Sequence, residues 1–286
     1  MFETPVFAVL DHGLARSTDE NPSSPAGSPE TGGPAFQPQR PLPPAHLNPW
    51  QCQHHRSPPG VSDTEVRTAV GDAAFCVVSG DLTHDGDPLG YSEAARILSC
   101  LPMPVHLMIG NHDDRGTFRE ALHSAPYDQH GFAQQVIDTS AGRLVLLDTR
   151  EHGRPEGRLC EQRLEWLSEK IAACPDPIFL FLDHPPLSVG FGRMDSIRLQ
   201  DVDALAAVLE RSNATIHHLF FGHLHRNIAG SWRKWPFSGI RGTSHQIGLD
   251  FTTQGYAPVS FEASGYAVVR VEAESVVVHF AEVEGS

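Results

Sequence analysis

Residues 73–114 read AAFCVVSGDLTHDGDPLGYSEAARILSCLPMPVHLMIGNHDD. AAFCVVSG (73–80) is a continuous apolar run, the mark of a strand buried on both faces. YSEAARILSCL (91–101) has helical spacing, and VHLMIG (105–110) is a second buried strand. Working outward, the same alternation continues. RGTFREALH (115–123) predicts a short helix, RLVLLDT (143–149) a strand and CEQRLEWLSEKIAA (160–173) an amphipathic helix. PIFLFLDH (177–184) predicts a strand, DVDALAAVLERS (201–212) a helix and IHHLFFGH (216–223) a strand. Upstream, PVFAVL (5–10) is a short buried strand, and Ser62-Asp63-Thr64-Glu65 has the capping pattern of a helix start. Downstream lie β-like pieces at 228–232, 265–271 and 275–283. Strands alternating with helices predict an α/β architecture with helices on both sheet faces, and the β-rich tail predicts a second sheet packed on the first.

One segment breaks the pattern. From Asn21 to Gly60, eleven of forty residues are proline, too many for regular helix or ladder. The organisation expected is a single domain over 1–286, with a Pro-rich irregular insertion at about 12–61 and a β-rich lobe at about 226–262. Connections inside a domain usually run about 4–6 residues, so this insertion is exceptional.

Thirty-five Asp and Glu against 21 Lys and Arg give a net charge of -14. That balance argues against nucleic-acid polymers and membrane surfaces, whose recognition rests on basic patches. An anionic ligand would have to be attracted locally, as bound cations would do. Seventeen histidines supply the commonest metal-ligand side chain. The five cysteines (52, 76, 100, 160 and 174) form no paired pattern, so reduced thiols and a cytoplasmic location are expected. The first residues lack a basic n-region, and no apolar run approaches the roughly 20 residues of a membrane span.

The chemistry gathers where the predicted strands end. One run leads into Gly80-Asp81, the next into Gly110-Asn111-His112-Asp113-Asp114, a third into Asp183-His184-Pro185-Pro186, and a fourth into Gly222-His223-Leu224-His225. Ligand sites of open α/β sheets lie at the carboxyl ends of strands. Taken singly, Gly-Asp is a turn, Asn-His-Asp a loop or cap, Asp-His-Pro-Pro a proline-stopped strand, and His-x-His a surface pair. Four in succession put Asp, Asn and His, ligand types for divalent metals, at one sheet edge.

Asp81 in GD, Asn111-His112 in GNHDD, His184 in DHPP and the GHLH at 222–225 resemble the calcineurin-like metallophosphoesterases. The set is most similar to the class III cyclic-nucleotide phosphodiesterases and bacterial glycerophosphodiesterases. The resemblance covers about residues 62–283 and implies a four-layer α/β/β/α sandwich with a small C-terminal β lobe. It also implies two divalent metal ions. Asp81 would bridge both, Asn111, His184 and His223 would complete the second site, and His225 would belong to the first. His112 would be catalytic, near the leaving or nonbridging oxygen, with Asp113 or Asp114 orienting it or capping the helix that follows. The chain departs from the family's first motif, Asp-x-His after the first strand. Here Asp11 is followed directly by His12, so Asp11 is taken as the ligand and His12 as its uncertain partner.

Two metals about 3.5–4 Å apart clamp a phosphate and hold a hydroxide in line for attack. The mixed ligand set suits Mn, Fe, Co or Zn rather than Ca²⁺. The reading is a dinuclear-metal hydrolase of small phosphodiesters, cyclic nucleotides or glycerophosphodiesters. The alternatives are a phosphomonoesterase on the same site, or a non-catalytic metal-binding descendant with an abnormal first motif. Arg150 reads as a surface arginine, with phosphate contact as the rival role. Trp232, Trp235 and Phe237 either line a pocket or pack in a lobe through which similar proteins form homodimers.

Overall fold

The computed structural model describes residues 6–123, except 11–72, and then 125–172, 174–253, 255 and 258–283, with the backbone alone for 6–10. Asp11, His12, the Pro-rich segment and the helix start at Ser62 lie outside the described residues.

Thirteen strands are described: β1 (Val6–Leu10), β2 (Phe75–Val78), β3 (Val105–Leu107), β4 (Gln135–Thr139), β5 (Gly142–Leu146), β6 (Ile178–Leu182), β7 (Ile216–Phe221), β8 (Ile228–Trp232), β9 (Trp235–Gly239), β10 (Gln246–Ile247), β11 (Val259–Ser260), β12 (Gly265–Glu272) and β13 (Ser275–Glu282). The described helices are α1 (Pro88–Leu98), α2 (Arg115–Ala121), α3 (Glu161–Ala172), α4 (Gly192–Ser196) and α5 (Val202–Arg211). One sheet has the order β13-β12-β1-β2-β3 and the other β4-β5-β6-β7-β9-β8, while β10 and β11 form a separate ribbon. The central strands β1–β2–β3 and β5–β6–β7–β9 run parallel within their sheets.

Side-chain alternation along the strands creates the layers. In β2, Phe75 and Val77 join Phe179, Phe181, Phe220, Ala267 and Val269 in a core between the two sheets. Cys76 and Val78 point the other way, into a core shared with Tyr91, Ala94 and Leu98 of α1 and Phe118 of α2. In β6, Ile178, Leu180 and Leu182 meet Trp166, Leu167 and Ile171 of α3 and Leu205 and Leu209 of α5. Three cores between four layers make an α/β/β/α sandwich, and they explain why β2 and β6 are apolar at every position. Phe181 and Phe220 stack at the centre, with ring centroids 4.9 Å apart.

The helices start where the sequence can cap them. Asp87 accepts from the backbone N–H of Gly90 at 2.8 Å, with Pro88 as the first residue of α1. Asp114 accepts from Thr117 N–H at 2.9 Å and starts α2.

Residues 226–262 hold β8 and β9, which form one edge of the six-stranded sheet, and the β10–β11 ribbon. Sequence reading missed β4 and β9. The pattern of β4 is mostly half-buried, and Pro236 and Gly239 in β9 weaken a strand signal. Trp232, Trp235 and Phe237 do not line a pocket. They are buried in the core beneath α3 and α5, because the β8–β9 hairpin folds them inward. Among the described residues no helix is long and apolar enough to cross a membrane. Cys76, Cys160 and Cys174 are free thiols, whereas Cys100 is disulfide-bonded, a departure from the expected reduced set. Cysteine spacing does not reveal which sulfurs approach in space.

Candidate active site

The carboxyl ends of β2, β3, β6 and β7 converge. The ends of β2 and β7 deliver site residues in a strained backbone conformation. Among the described non-glycine residues, positive φ occurs at Asp81 (50°), His223 (64°), His225 (47°) and Arg233 (53°). Three of those four are expected metal ligands. Such conformations cost on the order of 1–3 kcal/mol each and persist where surrounding structure enforces them, commonly at functional sites.

Glycine makes the close approach of the two halves feasible. At Gly80, φ is +134°, and an added Cβ would lie 2.7 Å from Asp183 Oδ1. At Gly110 an added Cβ would collide with the Asp81 carboxylate and sit 2.7 Å from Asp81 N. The loop after β2 thus presses against the loops after β3 and β6 with no room for a methyl group.

Asp81 is buried, and its Oδ1 accepts from the backbone N–H of His112 at 2.9 Å. Asp113, fully buried, accepts from Gly110 N–H at 2.8 Å and from Leu82 and Thr83 N–H at 3.2 Å each. It ties the β2 loop to the β3 loop. Burial, and then the charge of Asp81, push the Asp113 carboxyl up to about 7. Asp114 caps α2. Neither aspartate takes the His112 ring in the way expected of an orienting carboxylate. The ring instead donates from Nδ1 to the His84 carbonyl at 2.9 Å and stacks on the His84 ring, with centroids 4.8 Å apart. A carbonyl only accepts, so Nδ1 carries the proton and Nε2 is the free nitrogen of the neutral ring. Sequence reading missed His84, because the contact uses a backbone oxygen and leaves no trace in residue type.

Asn111 Oδ1 lies 2.9 Å from His223 Nδ1, linking the two halves. His184 has no solvent exposure. It donates from Nε2 to the Pro155 carbonyl at 3.1 Å, which leaves its lone pair on Nδ1. That nitrogen lies 2.8 Å from the Thr149 hydroxyl and 3.3 Å from Asp183 Oδ2. His225 donates from Nδ1 to the His245 carbonyl at 2.9 Å, so Nε2 is its lone-pair nitrogen. Burial holds all three imidazoles below their ordinary range: His184 falls to about 4, His223 well below its usual value, and His225 down as well. Neutral imidazoles tied through one nitrogen to an oxygen are the arrangement that metal-ligating histidines adopt.

A test of fit for a metal comes from His223. Its Nε2 is buried without a hydrogen-bond partner among the described residues, while Nδ1 faces Asn111 Oδ1 at 2.9 Å and Asp183 Oδ2 at 3.8 Å. Donors held about 2.0–2.1 Å from one ion stand roughly 3 Å apart, the spacing found here. Asp183, His184 and His223 bring one ligand atom each to within 4.8 Å of one another. The residues present therefore fit a divalent metal. Asp183 is the member of this group that sequence reading did not name, although it precedes His184 directly.

Arg150 is a buried arginine, 8% exposed, and not a surface one. Its Nε donates to the Asp113 carbonyl, and its Nη2 lies 3.7 Å from Asp114 Oδ2, so it braces the β3 loop from behind. Asp148, without exposure, accepts from Arg115 through Nε at 2.7 Å and Nη2 at 2.8 Å, and locks α2 to the end of β5.

A two-sheet sandwich with Asp, Asn and neutral His gathered at its carboxyl edge has the donor set of a metal-dependent enzyme. The model of the calcineurin-like phosphoesterases matches residues 61–227. A probable cyclic nucleotide phosphodiesterase of Rhodopseudomonas palustris is 42% identical over 212 residues, 73% of this chain and 77% of that protein. The glycerophosphodiester phosphodiesterase GpdQ of Enterobacter lignolyticus is 32% identical over 175 residues, 60% of this chain and 63% of that protein. Among solved structures, purple acid phosphatase PPD1 from yellow lupin superposes with a TM-score of 0.62 at 11% identity, over 100% of this chain and 52% of that one, which bears on the fold alone. The chain belongs to the calcineurin-like phosphoesterase family. It is an enzyme of that class, and the family works with divalent metals.

Proposed function

We propose that the chain is a dinuclear-metal phosphodiesterase acting on small phosphodiesters, cyclic nucleotides or glycerophosphodiesters, the substrate classes for which its relatives are named. The observation that carries this reading is the meeting of Asp81, Asn111, His184, His223 and His225 at the ends of β2, β3, β6 and β7. Divalent metals bound there supply Lewis acidity toward the phosphate and lower the pKa of a water.

The chain's own residues supply orientation and proton control. Asp81 sits at the junction of the two halves, on the side of His112 and Asn111. Asn111, His184 and His223 form one donor group, and His225 extends it from the β7 loop. Asp11 and His12 would complete the other metal site. With Nδ1 tied to the His84 carbonyl, a protonated His112 gives up its Nε2 proton to the departing alkoxide. Such general acid catalysis is worth typically 10²–10⁴-fold.

Bis-p-nitrophenyl phosphate hydrolysis by chelator-stripped protein, during a Mn²⁺ titration, tests the reading. Activity should rise with metal, exceed that on mono-p-nitrophenyl phosphate, and fall by at least about 10³-fold in His223→Ala. A preference for the monoester would instead mark a phosphomonoesterase. Folded protein that binds metal and cleaves neither would mark a non-catalytic descendant.

A further inference from the structure

We infer that Asp183 is itself a metal ligand, an extra carboxylate in the group formed by Asn111, His184 and His223. The inference rests on those residues holding a metal, as proposed above, and adds a donor to them.

Asp183 is the first residue beyond β6 and has no solvent exposure. Its Oδ2 faces two imidazole nitrogens, His184 Nδ1 at 3.3 Å and His223 Nδ1 at 3.8 Å. The His184 nitrogen is the one that bears the lone pair, because the other donates to the Pro155 carbonyl. The Thr149 hydroxyl donates to that nitrogen at 2.8 Å, a hydrogen bond that a cation drawn in by the Asp183 carboxylate would displace. Asn111 Oδ1 reaches the same place through His223, 2.9 Å from its Nδ1. The other carboxylate oxygen is enclosed by the chain, since a Cβ on Gly80 would come within 2.7 Å of Oδ1. The glycine and its φ of +134° are thus what let this carboxylate into the site.

The chemistry that follows is a change in charge and hardness. With Asp81 bridging, two imidazoles and an amide oxygen make a set with a single carboxylate. Asp183 adds a second negative charge and another hard oxygen, favouring Mn²⁺ or iron over softer competitors.

The test measures metal binding, not turnover. Chelator-stripped full-length protein is titrated with Mn²⁺ by calorimetry and the bound metal counted after desalting, for wild type, Asp183→Asn and His184→Ala. Melting of the metal-free forms reports the fold. Asp183→Asn should keep the metal-free melting temperature within a few degrees and leave one Mn²⁺ site weaker by on the order of 10–100-fold. The other site should be untouched, and Zn²⁺ affinity should fall less than Mn²⁺ affinity. Should Asp183→Asn fail to fold, Asp183→Ser is read by the same criteria. Wild-type Mn²⁺ affinity in Asp183→Asn, alongside a lost site in His184→Ala, would overturn the inference while leaving the metal centre standing. Unchanged stoichiometry in both variants would overturn the metal centre and the inference with it.

Discussion

The two halves of the site are built on opposite principles. The half on the first sheet carries Asp81, Asn111 and His112, and a buried anionic-type group organises it. Asp113 collects three backbone N–H donors from Leu82, Thr83 and Gly110. The half on the second sheet carries Asp183, His184, His223 and His225, and backbone acceptors organise it. The carbonyls of Pro155 and His245 each take an imidazole N–H. A carboxylate is satisfied only by donors and a neutral imidazole is oriented best by an acceptor, so each half uses the backbone group its side chains lack. The difference also separates their responses to protons. In the metal-free protein burial raises the Asp113 carboxyl to about 7 and lowers His184 to about 4.

The largest effect should come from removing the organiser of the first half. Asp113→Ala leaves three backbone donors buried without acceptors, each worth about 1–3 kcal/mol. We expect a loss of about 3–5 kcal/mol by chemical denaturation, with the β2 and β3 loops losing amide protection first in hydrogen exchange. A loss below about 1 kcal/mol would show that Asp113 does not hold these loops.

The next effect sharpens the contrast through pH. For Asp113 the folded pKa is raised, so its contribution is fully present below the carboxylate's ordinary value of 3.8 and is lost as pH rises through about 7. For His184 the folded pKa is depressed, so the unfolded chain binds the extra proton, and stability is lost as pH falls from 6.5 toward about 4. At most, the Asp113 contribution amounts to about 4 kcal/mol and the His184 contribution to about 3 kcal/mol. The two windows overlap and their slopes oppose, so they largely cancel in the wild type. Urea melts of metal-free protein across pH 4–8 should show stability falling with rising pH in His184→Asn and climbing with rising pH in Asp113→Asn. The same slope in both variants would refute the division into halves.

The smallest effect concerns backbone strain. Arg233 has positive φ like the site residues, but it lies in the β8–β9 turn, with exposed ion pairs to Asp203 and Glu210. Arg233→Gly relieves a conformation costing roughly 1–2 kcal/mol and gives up exposed pairs worth little. Stability should move by less than about 1 kcal/mol and activity not at all. A drop in activity would mean that this turn is coupled to the site through the β8–β9 edge.

Much of the molecule was legible before the structure. The apolar runs at 75–78, 178–182 and 216–221 are buried strands because both faces of each sheet are covered. Their polar endings mark the site because ligands gather at the carboxyl edge of parallel strands. Asp183 and His84 were not legible as partners. Asp183 shares its position with a more conspicuous histidine, and the oxygen of His84 that counts belongs to the backbone. Arg150 misled for the opposite reason. Residue type suggested a surface, whereas an arginine is also buried wherever partners allow. For Trp232 and Trp235 residue type left a pocket and packing both open, and the structure packs them in the core.

Residue order alone determined the alternation of strands and helices, the four polar strand endings and the family, since periodicity and local motif are properties of neighbouring residues. Tertiary structure alone decided which nitrogen of each histidine is free, which aspartate braces a loop and which faces the imidazoles, and why Gly80 and Gly110 must lack a side chain. Those outcomes depend on distances of about 3 Å between residues from 20 to 112 positions apart, set by the packing of two sheets and carried by no local pattern.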